Sequence, residues 1–180
     1  MNTHDKYVNQ YKELINKNAN YARGWELDKL NSCQIICDLI EKTKSETLLD
    51  YGCGQGKQYT EDKVHEKYNF LMPTLYDPAV ELYSSLPNEI FDGIISTDVL
   101  EHIPENVLPS TFEYMFNHAT KFLYLKIATN KACTILPNGE NAHTTIKPYK
   151  WWSSTIKKYN TNNILVYLHE SKGTNQQGLI

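Results

Sequence analysis

Leu48-Leu49-Asp50-Tyr51-Gly52-Cys53-Gly54-Gln55-Gly56 is the stretch that decides the fold of this chain. It reads as a buried strand running into a glycine-rich turn that opens a helix. Glycine tolerates positive φ and lets a ligand lie directly on the backbone, so Gly52, Gly54 and Gly56 together imply a cradle rather than an ordinary tight turn. Asp77, in Leu75-Tyr76-Asp77-Pro78, ends the next apolar segment about twenty residues further on, where α/β nucleotide sites place an acid to hold ribose hydroxyls.

Working outward, apolar periodicity predicts helices over 6–17 and 28–43, the second with Leu30, Ile35, Ile36, Leu39 and Ile40 inward. Strands are predicted at 47–51, 74–76, 93–96, 122–127 and 164–169. Helices are predicted over 58–68, from Pro104 to Thr120 with an interruption near Pro109, and from Pro148 to Tyr159. Strands alternating with helices indicate an α/β protein with a doubly wound parallel sheet. The chain of 180 residues is expected to form a single domain, with N-terminal helices in 1–45 and the α/β core in 46–180. Only about fourteen residues separate Asp77 from Phe91, too few for a further helix, strand and helix, so a minimal sheet is expected. Residues 177–180 are a candidate final antiparallel strand.

The net charge of −3 hides an uneven distribution: residues 121–180 carry eight lysines against two glutamates, and residues 1–120 are strongly acidic. Lys121, Lys126, Lys131, Lys147, Lys150, Lys157 and Lys158 therefore either face an anionic partner or form a solvated face. No apolar run of about 18 residues occurs, so no membrane-spanning helix is expected, and the polar start at Met1–Gln10 does not read as a signal peptide. Cys33, Cys37, Cys53 and Cys133 form no Cys-x-x-Cys pair. Cys33 and Cys37 share a helix face and are expected to pack as small apolar residues in a reduced, cytoplasmic setting.

The turn departs from the dinucleotide pattern, because its sixth position is Lys57 rather than Gly or Ala, and no Gly-Lys-Ser/Thr closes it as a phosphate loop. Asp50 would repel a phosphate but would accept a cationic cofactor bearing an ammonium group. This combination resembles the class I S-adenosylmethionine (SAM)-dependent methyltransferases. The resemblance continues through Tyr76-Asp77-Pro78 and through Phe91-Asp92-Gly93-Ile94-Ile95-Ser96-Thr97-Asp98-Val99-Leu100-Glu101-His102, in the family's order. It implies a Rossmann-like methyltransferase sheet with the third strand reduced or missing. The cofactor contacts it implies are Asp50, Tyr51, Gly52, Cys53, Gly54 and Gly56 in the turn, Asp77 and Pro78 at the ribose, and Thr97 and Asp98 by the adenosyl group or the transferred methyl.

Asp98, Glu101 and His102 stand at i, i+3 and i+4, one face of a helical turn at the carboxyl end of a strand. His143, in Leu136-Pro137-Asn138-Gly139-Glu140-Asn141-Ala142-His143, belongs to a later loop expected over the same edge. Two carboxylates and two imidazoles suit Mg²⁺, Mn²⁺ or Zn²⁺. The acid-x-x-Glu-His pattern with a later His resembles metal-dependent O-methyltransferases, those acting on small-RNA 3′ ends and, less closely, those of the ubiquinone pathway. By that resemblance Asp98, Glu101, His102 and His143 are the ligands. A metal-free alternative makes His102 or His143 a general base. His4, His65, His118 and His169 are expected to be surface or packing residues.

The expected activity is methyl transfer from SAM to a hydroxyl of a small molecule or saccharide. A nucleic-acid enzyme acting at a ribose 2′-hydroxyl of RNA, and a non-catalytic cofactor-binding module, are the alternatives. The acceptor and the oligomeric state are not legible in the sequence.

Overall fold

Alternation along the strands explains why helices cover both faces of the sheet. In β4 (Ala119–Ala128), Leu123, Leu125 and Ile127 point to one face and Phe122 and Tyr124 to the other, and all five are buried. The computed structural model describes residues 3–24, 31–172 and 176–180. Its sheet comprises β1 (Leu48–Tyr51), β2 (Thr74–Tyr76), β3 (Phe91–Thr97), β4, β5 (Leu165–Lys172) and β6 (Gln177–Leu179), in the order β2-β1-β3-β4-β5-β6. The first five strands are mutually parallel, and β6 pairs antiparallel with β5 at the edge.

On one face, α5 (Leu108–His118) and α6 (Tyr149–Tyr159) bury Phe112, Met115, Trp152 and Ile156 against Leu49, Ile94, Leu123 and Val166. On the other, α2 (Ser32–Thr43), α3 (Lys57–Thr60) and α4 (Val64–Lys67) place Cys33, Ile36, Leu39, Tyr59 and Val64 against Leu48, Ile95, Phe122 and Tyr124. α1 (Thr3–Lys17) belongs to neither core and runs across the carboxyl ends of the strands. The chain passes from β2 over β1 to β3, so the crevice between the carboxyl ends of β1 and β3 is the switch point at which open α/β sheets bind ligands.

The strands fall where their patterning predicts, although β3, β4 and β5 are longer than expected. Three helices differ. The predicted helix over 58–68 is two short ones, broken where Lys63 takes a left-handed φ of 54° and Arg23 holds both Glu61 and Asp62 at 2.9 Å. α5 begins at Leu108, not Pro104; Pro104 instead accepts from the Val107 amide in a preceding turn, and Pro109 sits in the first helical turn, where a missing N–H leaves no bond unmade. α2 is preceded by Asn31 at φ 59°, and Trp25 and Leu30 lie outside the described residues. Cys33 packs at 1% exposure as expected, and of the adjacent pair Trp151 and Trp152 the second enters the core while the first is half-buried.

Between β2 and β3 the chain forms only a 3₁₀ turn at Glu81–Tyr83, so no further strand stands between them, in keeping with the minimal sheet expected, and β2 is an edge. No helix among the described residues is long and apolar enough to cross a membrane.

Candidate functional site

The glycine turn leaves β1 with Gly52 at φ 87°, Gly54 at φ 58° and Gly56 at φ 65°. Its amides are spoken for within the chain. Gly52 and Cys53 donate to the Tyr76 carbonyl, Gly54 to Asp77 Oδ2 at 2.9 Å, Gln55 to the Ala22 carbonyl and Gly56 to the Cys53 carbonyl. The cradle is therefore shaped by the chain's own close approaches. A Cβ on Gly54 would lie 2.2 Å from the Ala22 carbonyl oxygen, and one on Gly52 2.3 Å from Val99 Cγ2. Gly52, Cys53 and Gly54 line a cavity of about 480 Å³, within the usual range for small-molecule sites. Gly56 does not line it; it packs against Leu75 and Tyr83.

Asp77 ends β2 at the cavity wall. Its Oδ2 accepts from Gly54 N and its Oδ1 from Ala79 N at 2.8 Å, which leaves each oxygen a further lone pair for a ligand hydroxyl. Burial raises its carboxyl, against the opposing pull of those two amides. Asp50 lies one layer behind: it is fully buried and does not line the cavity. Its Oδ2 accepts from Gln58 Nε2 at 2.9 Å and Tyr59 OH at 2.8 Å, and its Oδ1 has no hydrogen-bond partner among the described residues. Burial foremost pushes this carboxyl up to about 7, with Tyr59 and Gln58 pulling down and Asp77 adding to the rise. Gln58 does line the cavity, so Asp50 reaches it through that amide. Tyr51, Pro78 and Thr97 also line it. Cys53 also does, but burial raises its thiol strongly, so it is an inert small side chain.

Beyond β3, the single helical turn expected for Asp98, Glu101 and His102 is not formed. Asp98 sits at φ 54°, outside the 3₁₀ turn Leu100–His102, and its carboxylate turns away. Oδ2 is 3.0 Å from Lys126 Nζ, and Oδ1 accepts from Ser171 Oγ at 2.7 Å. Asp98 thus leaves the expected ligand set, although it still lines the cavity.

Glu101, His102 and His143 do come together, with one potential ligand atom from each within 4.8 Å of the others. Glu101 is fully buried, with Oε1 accepting from Ala128 N at 2.8 Å and Oε2 accepting no hydrogen bond from any described residue. Burial and then the charge on Asp98 raise its carboxyl well above the ordinary range, while bonded amides and Lys126 oppose the rise. His102 Nδ1 lies 2.9 Å from the Ala142 carbonyl oxygen, and His143 Nδ1 bonds the Asn130 carbonyl. A carbonyl only accepts, so each Nδ1 carries its proton and each Nε2 carries the lone pair. That anchoring is how proteins present imidazoles to metals. The two rings meet edge to face, centroids 4.8 Å apart. An unsatisfied buried carboxylate oxygen beside two oriented imidazoles fits Mg²⁺, Mn²⁺ or Zn²⁺.

Sequence reasoning missed several contributors. α1 supplies Tyr7, Tyr11 and His4 to the cavity wall, the last expected to be a surface or packing residue. His169 is not among them: it is buried outside the cavity, a packing residue as expected, its Nδ1 2.9 Å from Tyr124 OH, which donates to Ser32 Oγ. The spacing of His4, Tyr7, Val8, Tyr11 and Ile15 marks one helix face, but nothing in the sequence says what that face covers. The basic C-terminal third does not converge on the site. Lys126 is buried on Asp98, Lys121 pairs with Asp92 and Lys147 with Glu105, and among the described residues no lysine lines the cavity.

No protein-family model matches the chain, and comparisons with curated proteins and with solved structures found no match.

Proposed function

We propose that this protein is a SAM-dependent methyltransferase that methylates a hydroxyl of a small molecule or saccharide with the help of a divalent cation. The observation that carries the reading is that one crevice, at the switch point of a parallel sheet, joins a glycine turn and ribose-type acid to an adjacent Glu101–His102–His143 donor set. In this reading Asp77 accepts from the ribose hydroxyls, Gly52 and Gly54 allow close approach, and Thr97 lies beside the adenosyl group. Asp50 reaches the amino acid end of the cofactor only through the Gln58 amide that it holds.

The methyl already resides on a sulfonium in the cofactor, so the chain's task is to align the acceptor oxygen in line with it and to exclude water. Glu101, His102 and His143 would hold the cation, which when bound lowers the pKa of a coordinated hydroxyl and orients it. Tyr11 and the 18–24 segment wall the crevice against solvent. Among the described residues no lysine lines the cavity, and its one arginine, Arg23, is paired with Glu61 and Asp62, which supports a small acceptor over a polyanionic one.

Calorimetry tests this directly. S-adenosylhomocysteine should bind wild type, and Mn²⁺ or Zn²⁺ should then bind the saturated protein but not His143→Ala. Cofactor binding with no metal binding would leave a metal-free histidine base; no cofactor binding would end the methyltransferase reading.

A further inference from the structure

We infer that Tyr11, on α1, is a positioning residue that fixes the His102 imidazole, so that docking of α1 completes the donor set. The inference rests on the proposed role of Glu101, His102 and His143 as cation ligands, but the geometry beneath it stands apart from any ligand.

α1 contributes no donor itself, yet its polar contacts converge on the short segment that ends in His143. Gln10 Oε1 accepts from Asn138 N at 2.9 Å, and Lys6 and Tyr7 both reach the Glu140 carboxylate. Tyr11 OH donates to the Ala142 carbonyl at 2.7 Å. That same carbonyl oxygen is the one 2.9 Å from His102 Nδ1, and Tyr11 OH is itself 3.1 Å from Nδ1. With the phenol proton committed to Ala142, the Nδ1–H of His102 is shared between the carbonyl and the phenol oxygen. The two rings also meet edge to face at 89°, centroids 5.5 Å apart.

His143 has its own anchors, Asn130 for the ring and Asn141 for its amide. His102 leans on Ala142 and Tyr11. The hydroxyl of Tyr11 therefore ties the imidazole on the 3₁₀ turn to the backbone beside the second imidazole. Loss of such an outer partner typically weakens metal binding by about 10–100-fold.

The test compares wild type with Tyr11→Phe, which keeps the ring and deletes the hydroxyl, and Tyr7→Phe, which removes a different anchor to the same segment. Long-range ¹H–¹⁵N imidazole spectra of the metal-free proteins should show His102 as the Nδ1–H tautomer in all three, held by the Ala142 carbonyl, with its ring resonances displaced in Tyr11→Phe alone. In calorimetry with Mn²⁺ or Zn²⁺, Tyr11→Phe should bind about tenfold or more weakly while S-adenosylhomocysteine binding is retained. An unchanged His102 spectrum in Tyr11→Phe overturns the inference, as does an equal change in both variants, which would assign the effect to helix docking alone. Wild type that binds no metal refutes the cation reading of the site, and the spectra still decide the role of Tyr11.

Discussion

Asp98 Oδ2 lies 3.0 Å from the ammonium of Lys126, a lysine near the carboxyl end of β4 whose side chain is 1% exposed. The pair explains why Asp98 stands apart from the metal-type donors: its charge is needed to compensate a buried cation.

Removing one partner leaves the other charged and buried. Asp98→Asn should destabilise the protein by about 3–5 kcal/mol, and adding Lys126→Met should recover much of that loss. Urea denaturation of the two single variants and the double variant measures the coupling; additive losses would show that the pair is not a unit.

Gly54→Ala sets a Cβ 2.2 Å from the Ala22 carbonyl oxygen at a backbone φ of 58°. The 18–24 segment must move off the turn, breaking the bond from Gln55 N to Ala22. We expect a loss of about 2 kcal/mol or more and a collapse of S-adenosylhomocysteine affinity. Gly139→Ala, whose Cβ meets nothing within 4 Å, should show only the modest backbone strain of its positive φ and leave affinity intact. Thermal unfolding and calorimetry check both.

Asp50 gives a pH signature. Its carboxyl is pushed up to about 7 from 3.8, so between those values the native chain keeps a proton that the unfolded chain has released. Stability contributed by the protonated group is full below the lower value, falls as pH rises through the window and is lost above the upper one. Asp50→Asn has no such slope. Its stability relative to wild type should therefore improve by on the order of a few kcal/mol between about pH 4 and about pH 8. Denaturant midpoints at both pH values test the sign; a pH-independent difference would mean that Asp50 ionises normally.

Asp77 holds two backbone amides at once, those of Gly54 and Ala79. Asp77→Ala should lower the unfolding midpoint and abolish cofactor binding, since hydrogen bonds to a charged acceptor contribute about 1.5–3 kcal/mol each. Asp77→Asn keeps one carboxamide oxygen as acceptor, so it should recover part of the stability and little of the affinity. If both variants bind S-adenosylhomocysteine like wild type, Asp77 serves the turn alone.

The core strands were legible because their patterning is local: Leu48–Tyr51, Thr74–Tyr76 and Phe122–Ile127 are mostly apolar runs bounded by polar or turn residues, with Asp50 and Lys126 as the charged exceptions. The short Asp77–Phe91 interval likewise announced the missing third strand. The break at Lys63 was not legible, because it coincides with long-range ion pairs from Arg23 and carries no glycine or proline. In the site, Glu101, His102 and His143 were found by residue type and strand-end position. Asp98 was misassigned because the i, i+3, i+4 argument assumed a helical φ at a residue that takes the left-handed one. Tyr11, Gln58 and Lys126 have no sequence signal of their own; each matters through a partner distant in the chain or across the fold.

The sequence by itself determined a parallel α/β sheet, its glycine turn and the acid that follows, since these depend on residue periodicity and on backbone conformations few side chains allow. Which carboxylate faces a buried lysine and which faces two imidazoles was decided only by the tertiary structure. That choice turns on where burial leaves a charge without water, and burial is a property of the assembled chain.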